Sequence, residues 1–225
     1  MLSGPLARGD RGADERLKDP VANKQATKTP RFEPMQYWRK LCWVTPQIVL
    51  SGDLPEGAAK GRGLDQWMTA GVTHIIDTRL EHSDEKFVAT HAPDVGYTWV
   101  GVDDHGGRQP DSWFAEGVAA ATTALAEPDG KVMIHCHMGV NRGPSMGFAA
   151  MLATGIDPLT ALDTIRESRP IAAVMYAEDA VAWFHRWRGS DTWVAENQTK
   201  AVRDWLNANP IDTDWISSRL WHKGG

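Results

Sequence analysis

The stretch that most constrains the fold lies between residues 131 and 152, where an apolar run, a cysteine-containing loop and a run of small residues follow one another. Lys131-Val132-Met133-Ile134 has the length and composition of a short buried strand. The segment from Pro144 to Leu152 is typical of the start of a helix. Residues 135–143 between them read His-Cys-His-Met-Gly-Val-Asn-Arg-Gly. A cysteine therefore stands where a strand ends, and an arginine stands where a helix begins.

A loop between a strand and a helix is suited to anion binding. Its backbone N–H groups can converge on the anion, and the helix N-terminus adds the positive end of its dipole. The same field favours the thiolate form of Cys136, which is the nucleophilic form, and Arg142 matches two oxygens of a phosphate. These features predict phosphoryl transfer through a phosphocysteine. The alternative, an inert buried cysteine beside an unrelated arginine, leaves the Gly139 turn unexplained.

The pattern His-Cys-x5-Arg between strand and helix resembles the signature of the cysteine-dependent protein tyrosine phosphatase superfamily. The surrounding spacing, over about residues 43–187, resembles the compact dual-specificity branch of that superfamily. The resemblance implies that Cys136 is the nucleophile and that His135 orients the loop by hydrogen bonds and tunes the thiolate. It also implies a phosphate-binding loop made of His137, Met138, Gly139, Val140, Asn141 and Arg142. We see no counterpart of the phosphotyrosine-recognition loop of the longer, tyrosine-specific domains.

Hydrolysis also needs a proton donor for the leaving group, and the same group can later deprotonate the attacking water. The candidates are Asp103 and Asp104, in a glycine-containing loop that follows a predicted strand from Tyr97 to Val102. In the resembling family the general acid lies on this loop, and its spacing to Trp113-Phe114 and to the cysteine favours Asp104. Asp103 then faces the other way. The alternative is that both are solvated loop acids, which is the common fate of an Asp-Asp pair.

The chain departs from the family pattern at Gly143, because the family usually places Ser or Thr directly after the arginine. That hydroxyl helps the cysteine to leave when the phosphoenzyme is hydrolysed. Ser145, two residues further on, is the candidate replacement. Nucleophilic attack needs Cys136 and Arg142, which are both present. The departure therefore bears on the second chemical step.

Composition excludes several classes of protein. The net charge of −5 argues against a global basic field for nucleic acid or anionic membrane, and two cysteines make no disulfide framework. We therefore expect a cytoplasmic protein without a membrane segment, a signal peptide or a nucleic-acid partner. No metal or cofactor is expected, because the consecutive residues 135–137 cannot all converge on one ion and no second ligand cluster exists. The oligomeric state is left open.

Alternating strands and helices predict an α/β fold, with a central, mostly parallel sheet flanked by helices. Three segments are expected: a disordered tail over residues 1–34, a dual-specificity phosphatase-like catalytic domain over 35–188, and a Trp-rich helical extension over 189–225. We favour docking of the extension against the core over partner binding, because aromatic faces at helical spacing are usually core. The pattern predicts one continuous strand from Trp43 to Gly52 and a helix from Asp191 capped by Ser190.

The function that these features favour is a phosphoprotein phosphatase acting on phosphotyrosine and on phosphoserine or phosphothreonine. A short core implies a shallow pocket that admits all three. Two alternatives stay open: a phosphatase of a non-protein substrate (an RNA 5′ end, a phosphoinositide or a metabolite), and a slow-turnover, phosphate-binding pseudophosphatase. The loop carries no lysine of the kind found in phosphoinositide-selective relatives, and Asn141 decides little between substrates. Gly143 is the feature that supports the pseudophosphatase.

Overall fold

The computed structural model describes residues 32–221. This part of the chain contains five strands, β1 Cys42–Trp43, β2 Ile48–Ser51, β3 His74–Arg79, β4 Gly96–Val102 and β5 Val132–His135. It also contains eight α-helices, α1 Lys60–Thr69, α2 Glu85–His91, α3 Asp111–Leu125, α4 Arg142–Ala153, α5 Pro158–Ser168, α6 Ala177–Arg188, α7 Thr192–Ala208 and α8 Thr213–Trp221. Of these helices, none combines the length and the apolar composition needed to cross a membrane. The predicted tail, apart from residues 32–34, lies outside the described residues, as do residues 222–225 of the predicted extension.

The strands form one sheet in the order β1-β2-β5-β3-β4. β5 lies in the middle and pairs in parallel with β2 and β3, and β4 pairs in parallel with β3. β1 pairs with β2 in the antiparallel sense. The predicted α/β class with a mostly parallel sheet and a helical C-terminal portion is confirmed. The loop that follows β5 lies at the carboxyl end of a central parallel strand, where open α/β sheets bind their ligands.

Helices cover both faces of the sheet, and β5 shows how its residues divide between them. Ile134 packs in one apolar cluster with Phe114 of α3. The preceding residue, Met133, points to the opposite face and packs in a second cluster with Leu64 and Trp67 of α1. Burial of each such side chain is worth about 1.5–3 kcal/mol. A strand covered on both faces is apolar at every position, which explains the uninterrupted run in the sequence.

The predicted single strand Trp43–Gly52 is a hairpin, so that prediction is wrong. Thr45 Oγ1 accepts hydrogen bonds from the backbone N–H groups of Ile48, at 2.8 Å, and Gln47, at 3.1 Å. Pro46, between them, has no N–H to donate to a neighbouring strand. The side-chain cap and the proline together make a turn that separates β1 from β2.

The start of α7 also differs from the prediction, because Asp191 rather than Ser190 caps it. Asp191 Oδ1 accepts hydrogen bonds from the N–H groups of Trp193, at 2.8 Å, and of the residue after it. Ser190 belongs instead to the end of α6, where Gly189 takes a left-handed φ of 62°. Its N–H then donates to the carbonyl of His185 at 3.0 Å. Ser190 therefore completes the last turn of α6, and the next residue, Asp191, caps α7.

The C-terminal helices pack on the α/β core. Val202 of α7 is fully buried in the larger cluster, and Trp205 Nε1 donates a hydrogen bond of 2.8 Å to Asp163 of α5. Ile216 and Leu220 of α8 are fully buried in a third cluster. The extension therefore docks against the core. Its helices complete the apolar packing rather than standing free of it.

Candidate active site

The loop Cys136–Asn141 joins β5 to Arg142, the first residue of α4. Gly139 takes a φ of 64°, which favours glycine. A Cβ atom at this position would overlap the guanidinium of Arg169 and lie 2.5 Å from the carbonyl oxygen of Ser51. Backbone conformation and close packing both require glycine here. The loop thus turns sharply and ends at a helix N-terminus, whose dipole and N–H groups favour an anion.

Arg169, at the end of α5, is fully buried and holds this loop in place. Its Nε donates to the carbonyl of Gly139 at 2.6 Å, and its Nη2 donates to that of Met138 at 3.0 Å. The same guanidinium donates to the carbonyls of Trp38, at 3.1 Å, and Lys40, at 3.3 Å. Burial lowers the pKa of Arg169, because a dry environment disfavours the charge. The four carbonyl oxygens replace the water that the guanidinium has lost.

Cys136, Arg142 and Asp104 line one cavity of about 730 Å³. They come from the end of β5, the start of α4 and the loop after β4. The remaining walls include Glu81, which follows β3, and one face of α8. Cys136 is 3% exposed, so a reactant would meet its thiol through this cavity. The tertiary structure therefore brings together the three residues that the sequence singles out for chemistry.

Glu81 forms a bidentate ion pair with Arg142. Arg142 Nη1 and Nη2 donate to the two carboxylate oxygens of Glu81 at 2.6 and 2.8 Å. These hydrogen bonds lower the pKa of Glu81 to about 2. Arg142 Nε is buried and has no hydrogen-bond partner among the described residues, and it lies 3.5 Å from Asp104 Oδ2. The guanidinium therefore has both Nη atoms paired with Glu81, while its Nε lies beside Asp104.

A buried network of charges anchors the segment that carries Glu81. Arg79 Nε and Nη2 donate to the two carboxylate oxygens of Asp77 at 2.9 and 2.6 Å, and Nη2 also donates to Asp84 at 2.6 Å. Lys60 Nζ lies 2.5 Å from the other oxygen of Asp84. Burial acts to raise the pKa of Asp84, but the hydrogen bond from Lys60 and the charge of Arg79 outweigh it and lower this pKa to about 2. Arg79 and Asp84, on either side of Glu81 in the chain, are thus both held by ion pairs.

Asp104 is held by two donors. Asn141 Nδ2 donates to Asp104 Oδ1 at 2.6 Å, and the hydroxyl of Tyr176 donates to the same oxygen at 2.7 Å. Asn141 is itself fixed, because its Oδ1 accepts a hydrogen bond of 2.7 Å from the N–H of Met175. Burial and the carboxylate of Asp104 raise the pKa of Tyr176 to about 12, so the phenol keeps its proton. Asp103 is absent from the described lining of the cavity, so of the two predicted candidates Asp104 is the one that shares it with Cys136 and Arg142.

Phosphatases are among the solved structures that share this architecture. The structure superimposes on human DUSP28 with a TM-score of 0.53 at 19% identity, covering 66% of this chain and 95% of that one. The fold is that of the dual-specificity phosphatases. A second neighbour is PTPMT1 in complex with PI(5)P, at a TM-score of 0.53 and 16% identity, covering 65% of this chain and 95% of that one. A third is a leucine rich repeat and phosphatase domain containing protein from Entamoeba histolytica, at 0.51 and 10%, covering 69% and 96%. No protein-family model matches the sequence.

Within this dual-specificity phosphatase fold, His135 differs from the expectation that it orients the loop by hydrogen bonds. Among the described residues, neither ring nitrogen of His135 has a hydrogen-bond partner, and Nε2 lies 3.8 Å from Asp77 Oδ1. The ring packs edge-on against Trp67 at 5.1 Å, and burial lowers its pKa. The backbone of His135 is held instead, because its carbonyl accepts a hydrogen bond of 2.8 Å from Thr78 Oγ1. Arg169 makes the hydrogen bonds to the loop that the family resemblance leads us to expect from this histidine.

Three predicted loop residues combine structural contacts with a place in the cavity wall. His137 Nδ1 lies 2.7 Å from Asp53 Oδ2, and its ring is 5.6 Å from that of Trp221. Met138 and Val140 line the cavity, and both also pack with the third apolar cluster. The outer side of the loop is therefore fastened to the N-terminal segment and to α8.

Gly143 lies in the first turn of α4 and does not have a positive φ. A Cβ atom there would lie 3.0 Å from Cys136 N and from the carbonyl carbon of His135, so a serine at this position requires the loop to shift slightly. Ser145 does not line the described cavity; its hydroxyl donates to Asn141 Oδ1 at 3.3 Å. The structure thus gives Ser145 a place behind Asn141, outside the described lining of the cavity.

Several residues of the site were not predicted. No motif surrounds Glu81 or Tyr176 in the sequence. The hydrogen bonds of Asn141 to Asp104 and to Met175 join it to two segments that are distant in the chain. Trp221 lies outside the resembling core. Arg169 carries the one local signal: it caps the end of α5 and is followed by proline, and helices usually end at or before the residue that precedes a proline.

Proposed function

We propose that this protein is a cysteine-dependent phosphatase that hydrolyses phosphomonoesters, with phosphorylated proteins as its substrates. One observation carries the proposal: a cysteine at a helix N-terminus, an arginine and a carboxylic acid line the same cavity. The dual-specificity phosphatase fold of the neighbours supports it. A nucleophile, an anion-binding group and a proton donor are the groups that such a reaction requires.

In the first step, the thiolate of Cys136 attacks phosphorus and the ester P–O bond breaks. The leaving oxygen takes the proton of Asp104, so that an alcohol or phenol departs and phosphocysteine forms. In the second step, the Asp104 carboxylate takes a proton from a water molecule. That water attacks phosphorus, inorganic phosphate is released and the Cys136 thiolate is restored. Asn141 and Tyr176 position Asp104 through both steps.

Arg142 binds the phosphoryl group through its Nε edge, which the substrate reaches by displacing the Asp104 carboxylate from beside it. The Glu81 carboxylate holds the opposite edge and thereby fixes the plane of the guanidinium before substrate arrives. Arg169 keeps the loop carbonyls of Met138 and Gly139 turned away from the anion, because it bonds them on the buried side. The N–H groups of the loop are then left for the phosphate oxygens.

The charges around the cavity favour a phosphoprotein substrate. Apart from histidines, the charged side chains among its described lining residues are three carboxylates, Glu56, Glu81 and Asp104, and one guanidinium, Arg142. Such a wall repels ligands that carry a further anionic group beside the reacting phosphate. PI(5)P, which the PTPMT1 structure contains, has one such group, its phosphodiester. The cavity suits a single phosphate carried by a neutral side chain such as that of tyrosine, serine or threonine.

The test is turnover by purified protein of an aryl phosphate, of phosphopeptides and of PI(5)P vesicles, with Cys136→Ser as the inactive form. We expect wild type to hydrolyse the first two, and Cys136→Ser to bind tungstate but to show no hydrolysis. Cys42→Ser is the matched control, because Cys42 is the other buried cysteine and is absent from the described lining of the cavity, and serine keeps an acceptor for the hydrogen bond of 3.5 Å that Arg169 Nη1 donates to Cys42 Sγ. Hydrolysis by Cys136→Ser at a rate near that of Cys42→Ser would refute the covalent route. Preference for PI(5)P over the phosphopeptides would refute the assignment of a protein substrate.

A further inference from the structure

Helix α8 is anchored on the phosphate-binding loop. Ile216 and Leu220, four residues apart, form one stripe of the helix and are fully buried. They share an apolar cluster with Val140 of the loop and with Trp38 of the N-terminal segment. The position of this helix is therefore coupled directly to the loop that carries Cys136.

The neighbouring stripe of α8 lines the catalytic cavity. Thr213, Ser217 and Trp221 also follow one another at intervals of four residues, so they lie on one face. All three belong to the lining of the cavity that contains Cys136. Two of the three are small and leave the cavity open, whereas Trp221 presents an indole to it. A segment outside the resembling core thus contributes a wall to the site.

Trp221 is 66% exposed, although its ring lies 5.6 Å from that of His137 in the loop. Covering an exposed indole with an apolar group is favourable, because it removes apolar surface from water. The group that fits best is flat, uncharged and attached directly to the reacting phosphate, because the acidic wall rejects further anions. The aromatic ring of phosphotyrosine meets these requirements, whereas phosphoserine brings one methylene between its phosphate and the backbone.

We propose that Trp221 is a specificity-determining residue that selects phosphate esters of aromatic groups, phosphotyrosine in particular, over those of aliphatic groups. The inference rests on the proposed phosphatase activity and names the substrate class of the same site. The indole packs against the substrate ring while the phosphate occupies the loop. α8 supplies the recognition surface for phosphotyrosine that the compact core does not contain.

The experiment uses the full-length protein and two phosphopeptides of identical sequence, one with phosphotyrosine and one with phosphoserine at the same position. We expect Trp221→Ala to lower kcat/KM for the phosphotyrosine peptide about three- to tenfold. The loss should appear in KM, and the phosphoserine peptide should change little. Trp221→Phe should recover most of the loss, because it keeps an aromatic face. Tungstate inhibition should be unchanged, because the oxyanion contacts are made by the loop itself.

Trp193→Ala is the matched control, because Trp193 is 72% exposed on α7 and does not line the cavity. It should alter neither peptide. Equal losses of kcat/KM on both peptides in Trp221→Ala, or a loss of tungstate inhibition, would show that Trp221 supports the loop and would overturn the inference. Wild-type values of kcat/KM on both peptides in Trp221→Ala would overturn it as well. In both cases turnover by wild type would leave the phosphatase assignment standing, whereas inactivity of wild type on both peptides and on an aryl phosphate would overturn both.

Discussion

Replacement of Arg169 by methionine tests whether the loop is held as the structure shows. Methionine is unbranched and apolar, so it fills much of the space of the arginine stem and donates no hydrogen bond. The guanidinium of Arg169 donates to four carbonyl oxygens, two of them in the loop at Met138 and Gly139. The substitution therefore removes every one of these contacts without introducing a new charge.

The expected loss of stability follows from the acceptors that are left behind. The Trp38 carbonyl still accepts a hydrogen bond of 2.7 Å from Gly52 N, and the Lys40 carbonyl, on an exposed residue, still accepts one of 3.6 Å from Cys42 Sγ. The substitution therefore leaves two carbonyls, those of Met138 and Gly139, without their donor. Each buried unsatisfied group costs about 1–3 kcal/mol, which gives about 2–6 kcal/mol in total. Removal of the buried charge offsets part of this cost, because the charge no longer has to be desolvated. We therefore expect the free energy of unfolding to fall by about 2–4 kcal/mol, a large share of the roughly 5–15 kcal/mol typical of a domain.

Urea unfolding followed by tryptophan fluorescence measures this change, and kcat on an aryl phosphate measures its effect on the loop. Under conditions where Arg169→Met is folded, we expect kcat to fall by about 100-fold or more, because a displacement of the loop by about 1 Å is enough to misplace the nucleophile. Arg62→Met is the control, since Arg62 is exposed and donates one hydrogen bond, of 3.2 Å, to a carbonyl. Its stability should change by less than about 0.5 kcal/mol. A loss below about 1 kcal/mol in Arg169→Met, with kcat retained, would refute the anchoring role.

Three further predictions concern the chemistry and the pH dependence of the fold. Asp104→Asn should lower kcat about 10²–10⁴-fold for a poor leaving group and much less for a good one, whereas Asp103→Asn should show no such pattern in steady-state rates. Rapid-quench measurements on wild type should show a burst near one product per site followed by slow turnover; Gly143→Ser should raise the steady-state rate, while Gly143→Ala, with the same crowding against Cys136, should not. The pKa of Asp84 lies at about 2 in the folded protein against an ordinary value of 3.8, so its ionisation stabilises the fold above that value by about 2 kcal/mol, and this contribution is lost as the pH falls through 2. Urea unfolding between pH 4 and pH 2 should show a loss that is smaller in Asp84→Asn than in wild type by about 2 kcal/mol, because Glu81, whose pKa is also about 2, contributes its own loss to both.

Contrary outcomes are distinct for each of these predictions. A leaving-group pattern in Asp103→Asn instead of Asp104→Asn would move the general acid by one residue. Normal wild-type turnover without a burst would mean that another group stabilises the leaving thiolate in place of a hydroxyl at Gly143. An equal loss of stability in Asp84→Asn and wild type at low pH would assign the acid sensitivity to other carboxylates.

The sequence alone determines the parts of this protein whose determinants lie within a few residues of one another. The apolar run before Cys136, the glycine turn and the arginine six residues after the cysteine predict a strand, an anion-binding loop and a helix in that order. Asp157-Pro158 likewise predicts the start of α5, where the Asp157 side chain accepts hydrogen bonds from the next turn. These features are local, because propensity, capping and backbone conformation act over one or two turns of chain. The α/β class follows from the order of such local units.

The tertiary structure decides which distant residues complete the site. Arg169 meets Gly139 across 30 residues, and Arg142 meets Glu81 across 61. Nothing in the sequence near either arginine specifies its partner, since a buried cation is satisfied by whatever acceptors the packing of helices and strands brings within reach. Packing likewise places Asp104 rather than Asp103 in the cavity and lays the face of α8 that ends in Trp221 along its wall. The sequence therefore states which groups can perform the chemistry, whereas the fold determines how they are held and which substrate surface they meet, because those contacts exist only after the sheet and its helices have come together.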